Sequence, residues 1–269
     1  MECSISYRSF CNSYYRLTET ILRLLEKERH NGILALEDDL DSFDDRFFLT
    51  GMKLVIDGTD SEYIRRILQT RLEREHDFYR KKLMEVAMEG ILCIQDRKSK
   101  FYTAFLLDSL VNIKNKPLED ACAKYIIGDI DAFSDLDFNI DFKTAIKSEE
   151  EREEIRFIKR AVSLNKISHE KSILALEEYL DHDAIAARDV FECGLLFVIM
   201  GWNWEYIEKV LSNLIGHETD PVKKNIAQAK KAAVLSIYGL DSPGMLITIL
   251  CAFFDENISR DLEKYFEDL

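Results

Sequence analysis

Five histidines, six cysteines and a cluster of aspartates are the residues of this chain best suited to metal or acid–base chemistry. The histidines (His30, His76, His169, His182 and His217) form neither an HExxH motif nor a pair one helical turn apart, the spacings that aim two imidazoles at one metal. His76-Asp77 and His182-Asp183 are adjacent pairs expected on helix surfaces. The cysteines (Cys3, Cys11, Cys93, Cys122, Cys193 and Cys251) include no CxxC, so a structural zinc site lacks its ligand spacing. Asp135-Leu-Asp-Phe-Asn139 matches the first three ligand positions of a calcium loop. The sixth position is then Ile140, where the loop turns on glycine, and the twelfth is Ile146, where it needs a glutamate. A plain acidic linker fits better. No two glycines lie closer than five residues, which excludes a GxGxxG turn, and neither a Walker loop nor a GxSxG elbow is present. The expectation is a non-enzymatic protein with no metal and no cofactor. Trp202 and Trp204 flank Asn203 at a helix start and read as core, with a partner-facing aromatic anchor as the sharper alternative.

The elements that hold these residues are helical. The chain has 269 residues, 47% hydrophobic and 32% charged, with only ten Gly and three Pro, a balance that favours long helices over a turn-rich β fold. Its net charge of −14 opposes binding to nucleic acid or to an anionic membrane surface. The same charge keeps the chain soluble and suits a basic protein partner. The longest apolar runs, Gly244–Phe254 and Cys193–Trp202, hold eleven and ten residues. A spanning helix needs ~20, so no integral membrane segment is expected. The start of the chain lacks an apolar signal core, which implies a cytoplasmic location with reduced thiols.

Apolar residues Ile21, Leu24, Leu25, Ile33, Leu36 and Leu40 recur at three- and four-residue steps, predicting a helix from about Tyr14 to Glu37. Five aspartates between Asp38 and Asp45 predict a solvated turn. Phe47–Val55 reads as a short helix stopped by Asp57-Gly58. Thr59-Asp-Ser-Glu62 has the form of a capping box opening one long helix, Ser61 to Gly90, and Phe101–Ile113 is another amphipathic helix. Acidic residues dominate Gly128–Glu154, an exposed join. Asp220-Pro221 marks a helix start that breaks, in the second half, the long helix the first half is expected to keep whole.

The halves are related in sequence. Asn31-Gly-Ile-Leu-Ala-Leu-Glu-Asp38 returns 140 residues later as Lys171-Ser-Ile-Leu-Ala-Leu-Glu-Glu178. With a three-residue shift, Gly51–Gly58 answers Gly194–Gly201, Glu62-Tyr63-Ile64 answers Glu205-Tyr206-Ile207, and Gly90–Ile94 answers Ala233–Ile237. The expectation is an all-α protein of two related helical modules produced by tandem duplication: residues 1–128, an acidic linker at 129–148, and a divergent copy at 149–269.

Leu25–Glu37 followed by Leu54-Val-Ile-Asp-Gly-Thr-Asp60 resembles the cytoplasmic segment after the second membrane helix of MotA/PomA flagellar stator proteins. Met88-Glu-Gly-Ile-Leu-Cys-Ile-Gln95 resembles the segment after the fourth membrane helix of the same family. In a stator two membrane helices separate these segments; here one continuous helical stretch is expected to join them. The resemblance covers about 15–113, with a fainter echo over 155–255. It implies a flagellar-motor-associated protein that binds a rotor switch protein, a stator or an accessory motor component on the cytoplasmic side of the motor. The family's ion path lies in membrane helices that this chain lacks, so ion conduction is not expected. The family's rotor-contacting Arg and Glu map onto Arg29 and Glu37. On one helix, eight residues would separate them by ~12 Å and a rotation of about 80°. The second copy keeps Glu177 but has His169 in place of the arginine, which weakens its rotor contact. Read as residues alone, Arg29 and Glu37 are ordinary solvated helix charges. One specific version has the two copies mimicking neighbouring stator subunits. The alternative function is a generic helical adaptor that kept the fold and lost the motor.

Overall fold

The computed structural model describes residues 6–111 and 153–254, and every regular element among them is helical. The chain divides into two compact units, Met1–Ser134 and Asp135–Leu269. The linker expected at 129–148 and the calcium-like run at Asp135 lie outside the described residues.

The first unit contains α1 (Tyr7–Asn31), a 3₁₀ segment (Ile33–Ser42), α2 (Arg46–Ile56), α3 (Ser61–Leu72), α4 (Phe78–Gln95) and α5 (Lys100–Val111). Helix α4 is central and packs on α1, α2, α3 and α5. Its residues from Val86 to Ile94 are buried without a break, so it needs neighbours on all sides. A Cβ on Gly90 would stand 2.9 Å from Ile21 Cγ1 and closer still to its Cδ1, so the glycine is what lets α1 and α4 approach.

Three expectations are corrected here. Helix α1 ends at Asn31 instead of running to Glu37, because Gly32 adopts φ 81° and donates its N–H to the Glu28 carbonyl at 2.7 Å. The chain then continues as a tighter 3₁₀ turn. The long helix from Ser61 to Gly90 is two helices. Glu75 accepts the backbone N–H groups of His76 and Asp77, both at 2.9 Å, and Asp77 caps α4 by accepting from Arg80 N at 2.8 Å. These local acceptors offer the backbone an alternative to continued helix. The cap of α3 is Asp60, accepting from Glu62 N at 2.9 Å, one residue beyond the expected Thr59 box.

The second unit contains α6 (Glu153–Glu170), a 3₁₀ segment (Ile173–Tyr179), a short α7 (His182–Ala186), α8 (Val190–Ile199), α9 (Trp204–Gly216), α10 (Pro221–Tyr238) and α11 (Pro243–Cys251). Apart from α7 the order repeats, and α10 packs on α6, α8, α9 and α11 as α4 does on its counterparts. Three caps recur at an offset of 143, Asp60 with Asn203, Asp77 with Asp220 and Ser99 with Ser242, and the caps of α2 and α8, Asp45 and Asp189, recur at 144. Glu218 accepts from Asp220 N at 2.9 Å, the role Glu75 has in the first unit. Both units therefore break at the same point, contrary to the expectation that only the second would. Left-handed backbone also recurs, at Gly58 and Gly201 (both φ 72°) and at Arg97 (φ 54°) and Leu240 (φ 53°).

Trp202 is half-buried and stacks on the buried Phe197, ring centroids 4.2 Å apart. Trp204 is 50% exposed, contrary to expectation: at the first position of α9 its side chain leans back beyond the buried stripe that begins at Ile207. His76 and His182 are exposed.

Candidate functional site

The motifs that carry the family resemblance hold structure in this chain. Glu89 is buried and paired with Arg65 through contacts of 2.8 and 3.4 Å, tying α3 to α4. Gln95 donates to the Thr59 carbonyl at 2.8 Å, so the end of α4 reaches the turn between α2 and α3. Asp60 caps α3 and Gly90 admits Ile21. These side chains position elements and leave the surface to others.

The surface centres on the turn after α1. Leu36 is fully buried and plugs the 3₁₀ segment into the core, while Leu34, two residues earlier, is 70% exposed. The segment is also clipped to α1 by charge. Asp39 Oδ1 accepts from Arg23 at 2.8 Å and its Oδ2 from Lys27 at 2.6 Å. Burial alone would push the Asp39 carboxyl up, but the hydrogen bonds from Lys27 and Arg23 outweigh it and hold the group below its ordinary range. The braced turn displays Arg29 and Glu37, both exposed and neither making a side-chain hydrogen bond or ion pair among the described residues. They lie on opposite sides of Gly32, so the single-helix geometry expected for them does not hold.

Beside Arg29 opens a pocket of about 350 Å³ lined by Leu25, Glu28, Arg29, Gly32, Arg97 and Lys98. Glu28 is only 5% exposed and pairs with Arg97 at 2.9 Å. Lys98 lies 3.6 Å from Asp96. Sequence reasoning missed Arg97 and Lys98, because no local spacing connects residue 97 to residue 28; only the packing of α4 on α1 brings them together.

The equivalent turn of the second unit is finished differently. His169 Nε2 lies 2.9 Å from the Asp241 carbonyl, to which Asn165 also donates at 3.0 Å. Glu177 is half-buried. Leu174, the counterpart of Leu34, is 66% exposed, and Leu176 is fully buried like Leu36. The clip survives with other residues: Arg160 donates to the Tyr179 carbonyl at 2.8 Å and to Glu192 at 2.8 Å, and Glu192 accepts from Asp181 N at 3.0 Å. Burial pushes the Glu192 carboxyl up, and the Asp181 N–H and the Arg160 charge only partly offset it.

The molecule is thus an all-helical protein whose candidate site is a charged, solvent-facing turn. Among the described residues no helix is long and apolar enough to cross a membrane. The chain is similar to Motility protein A of Borreliella burgdorferi, 42% identical over 65 residues, which is 23% of this chain and 25% of that protein. It is 36% identical over 70 residues to Motility protein A of Treponema phagedenis, covering 26% of this chain and 27% of the relative. The Treponema pallidum protein of the same name is 36% identical over 61 residues, 23% of this chain and 24% of its own length. The chain therefore spans about a quarter of the length of the curated relatives it matches. No protein-family model and no solved structure matches it.

Proposed function

We propose that this chain is a flagellar-motor-associated protein of the cytoplasm that docks on a rotor, stator or accessory component through the charged turn of its first unit, without conducting ions and without catalysing a reaction. The observation that carries this reading is the similarity to Motility protein A, taken with the display of Arg29 and Glu37 on a turn anchored by Leu36 and Asp39. The exposed Leu34 beside them supplies the apolar contact that a partner needs in addition to charge. In the second unit His169 is engaged with its own backbone and Glu177 is half-buried, so that copy serves as scaffold. The repeated element order, caps and left-handed positions support descent of both units from one duplicated module.

The test is affinity purification of the tagged chain from its host, with bound proteins identified by mass spectrometry. Motor proteins are expected in the wild-type capture and lost on Arg29→Glu. A second reading is supported by the structural use of Glu89, Gln95 and Asp60: the chain is a helical adaptor that shares ancestry with the stator fold. Under that reading, reversing Arg29 and Glu37 together leaves every partner bound.

A further inference from the structure

One end of the second unit is apolar where the first unit is polar. Helices α8, α9 and α10 pack on one another through short links, residues 200–203 and 217–220. Consecutive helices joined this tightly run antiparallel, so α8 and α10 run parallel and finish at the same end. Gly194 of α8 abuts Val234 of α10, and Met200 and Leu240 follow them by six residues each. Trp204 opens α9 and Met245 lies in the first turn of α11, both at that end. Met200, Trp204, Leu240 and Met245 are 45%, 50%, 46% and 52% exposed. At the offset of 143, Met200, Trp202, Trp204, Tyr238 and Leu240 stand where the first unit has Asp57, Thr59, Ser61, Gln95 and Arg97. Gln95 there donates to the Thr59 carbonyl at 2.8 Å, a polar closure that Trp202 and Tyr238 replace with rings. Leu240 also holds a left-handed φ of 53°, which strains a leucine. Arg97 shares that backbone and pairs with the buried Glu28, whereas Leu240 turns much of its side chain to solvent.

We propose that this end of the second unit binds an amphipathic helix of a protein partner, with large apolar side chains on one face and Lys or Arg flanking them. Exposed Met, Trp and Leu gathered at one place have the composition of a recognition surface: the thioethers adapt to the shape they meet, and the indole supplies a rigid anchor. Charge selects the occupant. Residues 200–206 and 238–246 contain two carboxylates, Glu205 and Asp241, and no cation. Helix α6, whose Asn165 and His169 reach the Asp241 carbonyl, ends in Glu170 followed by Lys171, two charges that cancel. Two copies pressed together by this end would crowd Glu205 and Asp241 of one against those of the other, and an anionic membrane would be repelled. A basic helix meets the rim with opposite charge and the centre with apolar surface. The first unit lacks this face, so the proposal does not depend on docking through Arg29.

The experiment measures binding of a dye-labelled synthetic helix of leucine and lysine, its leucines on one face, to the whole chain. The comparison probes are the same helix with glutamate for lysine, and a helix of the same composition with its leucines scattered round all faces. The expected result is binding of the first helix with a shift of the chain's tryptophan emission to shorter wavelength, and binding at least tenfold weaker for both comparison helices. Three variants give the second unit the residues of the first: Met200→Asp, Trp204→Ser and Leu240→Arg. Each is expected to weaken binding tenfold or more while melting as the wild type does, because all three side chains are half-exposed. Binding of the leucine–lysine helix that ignores all three variants overturns the proposal, since the acidic surface alone then holds it. Equal binding of the glutamate helix overturns the basic partner. Self-association in sedimentation that Leu240→Arg abolishes gives the face to a second copy and overturns it too. Binding to mixed phosphatidylcholine–phosphatidylglycerol vesicles, lost in the same variant, overturns it in favour of a membrane. Absence of binding by any helix overturns it outright.

Discussion

At the end of its first helix each unit turns into the same five residues, Ile-Leu-Ala-Leu-Glu, yet the two turns differ in what they leave open. Both bury the second leucine, expose the first, and clip the 3₁₀ segment to the preceding helix, the first through the Lys27–Asp39 ion pair and the second through the hydrogen bond from Arg160 to the Tyr179 carbonyl. The first unit then presents Arg29, Arg97 and Lys98 around a pocket, whereas the second directs Asn165 and His169 onto its own backbone at Asp241. The scaffold is common property, and the chemistry that distinguishes the units lies in the few side chains the scaffold does not need.

The largest effects should come from the shared interior. Gly90→Ala is expected to destabilise the first unit by about 1–3 kcal/mol, because Ile21 presents both Cγ1 and Cδ1 to the added methyl. The counterparts in the second unit are Ala233 and Ala161, both fully buried. Gly90→Ala should therefore be close to neutral in an Ile21→Ala background. Urea unfolding with hydrogen exchange resolved by unit measures the coupling. Equal penalties in both backgrounds would refute the complementarity.

A second contrast lies at the left-handed residues. Leu240→Gly relieves a strained φ and should be neutral or stabilise by up to about 1 kcal/mol. Arg97→Gly relieves the same strain but leaves Glu28 buried without its partner, and should cost about 1–2 kcal/mol. Thermal melting of the two variants separates strain from charge; a gain from both would mean that the ion pair contributes nothing.

The clips should respond to acid with opposite signs. Asp39 is held below its ordinary 3.8, so the folded first unit binds fewer protons than the unfolded chain in that range. Its contribution is complete above about pH 4 and is lost as pH falls through the lowered value. Glu192 is held above its ordinary 4.5, so the folded second unit binds more protons; its carboxylate opposes folding at neutral pH, and that opposition fades as pH falls toward the raised value. Melting profiles from pH 7 to pH 3 should lose the first dependence in Asp39→Asn and the second in Glu192→Gln. The smallest effect is expected from His169→Arg, which removes one exposed hydrogen bond and should cost less than about 1 kcal/mol in a thermal melt.

Much of the helical content was legible in the sequence, because Asp57-Gly58, Asp220-Pro221 and the apolar stripes are local signals. The break between α3 and α4 was hidden, since Leu83 and Val86 continue the apolar spacing past a gap made by Glu75 and Asp77. Gly32 was visible as a residue, but its positive φ was not, because the stripe runs on through Ile33 and Leu36. Arg29 and Glu37 could be named only by resemblance, and their exposure needed the fold. The pocket depends on residues 28 and 97 meeting across helices, a contact that no periodicity encodes.

The most direct test of docking through the first unit uses the two exposed leucines as matched probes. A photo-crosslinking residue is placed at Leu34 or at Leu174 of the full chain in its host, and the adducts are identified by mass spectrometry. The two sites are 70% and 66% exposed, so unequal crosslinking reports recognition and not accessibility. The expected result is a motor-protein adduct from position 34 that disappears on Arg29→Glu, with none from position 174. Motor-protein adducts from neither site, or equal adducts from both that ignore Arg29, would contradict it.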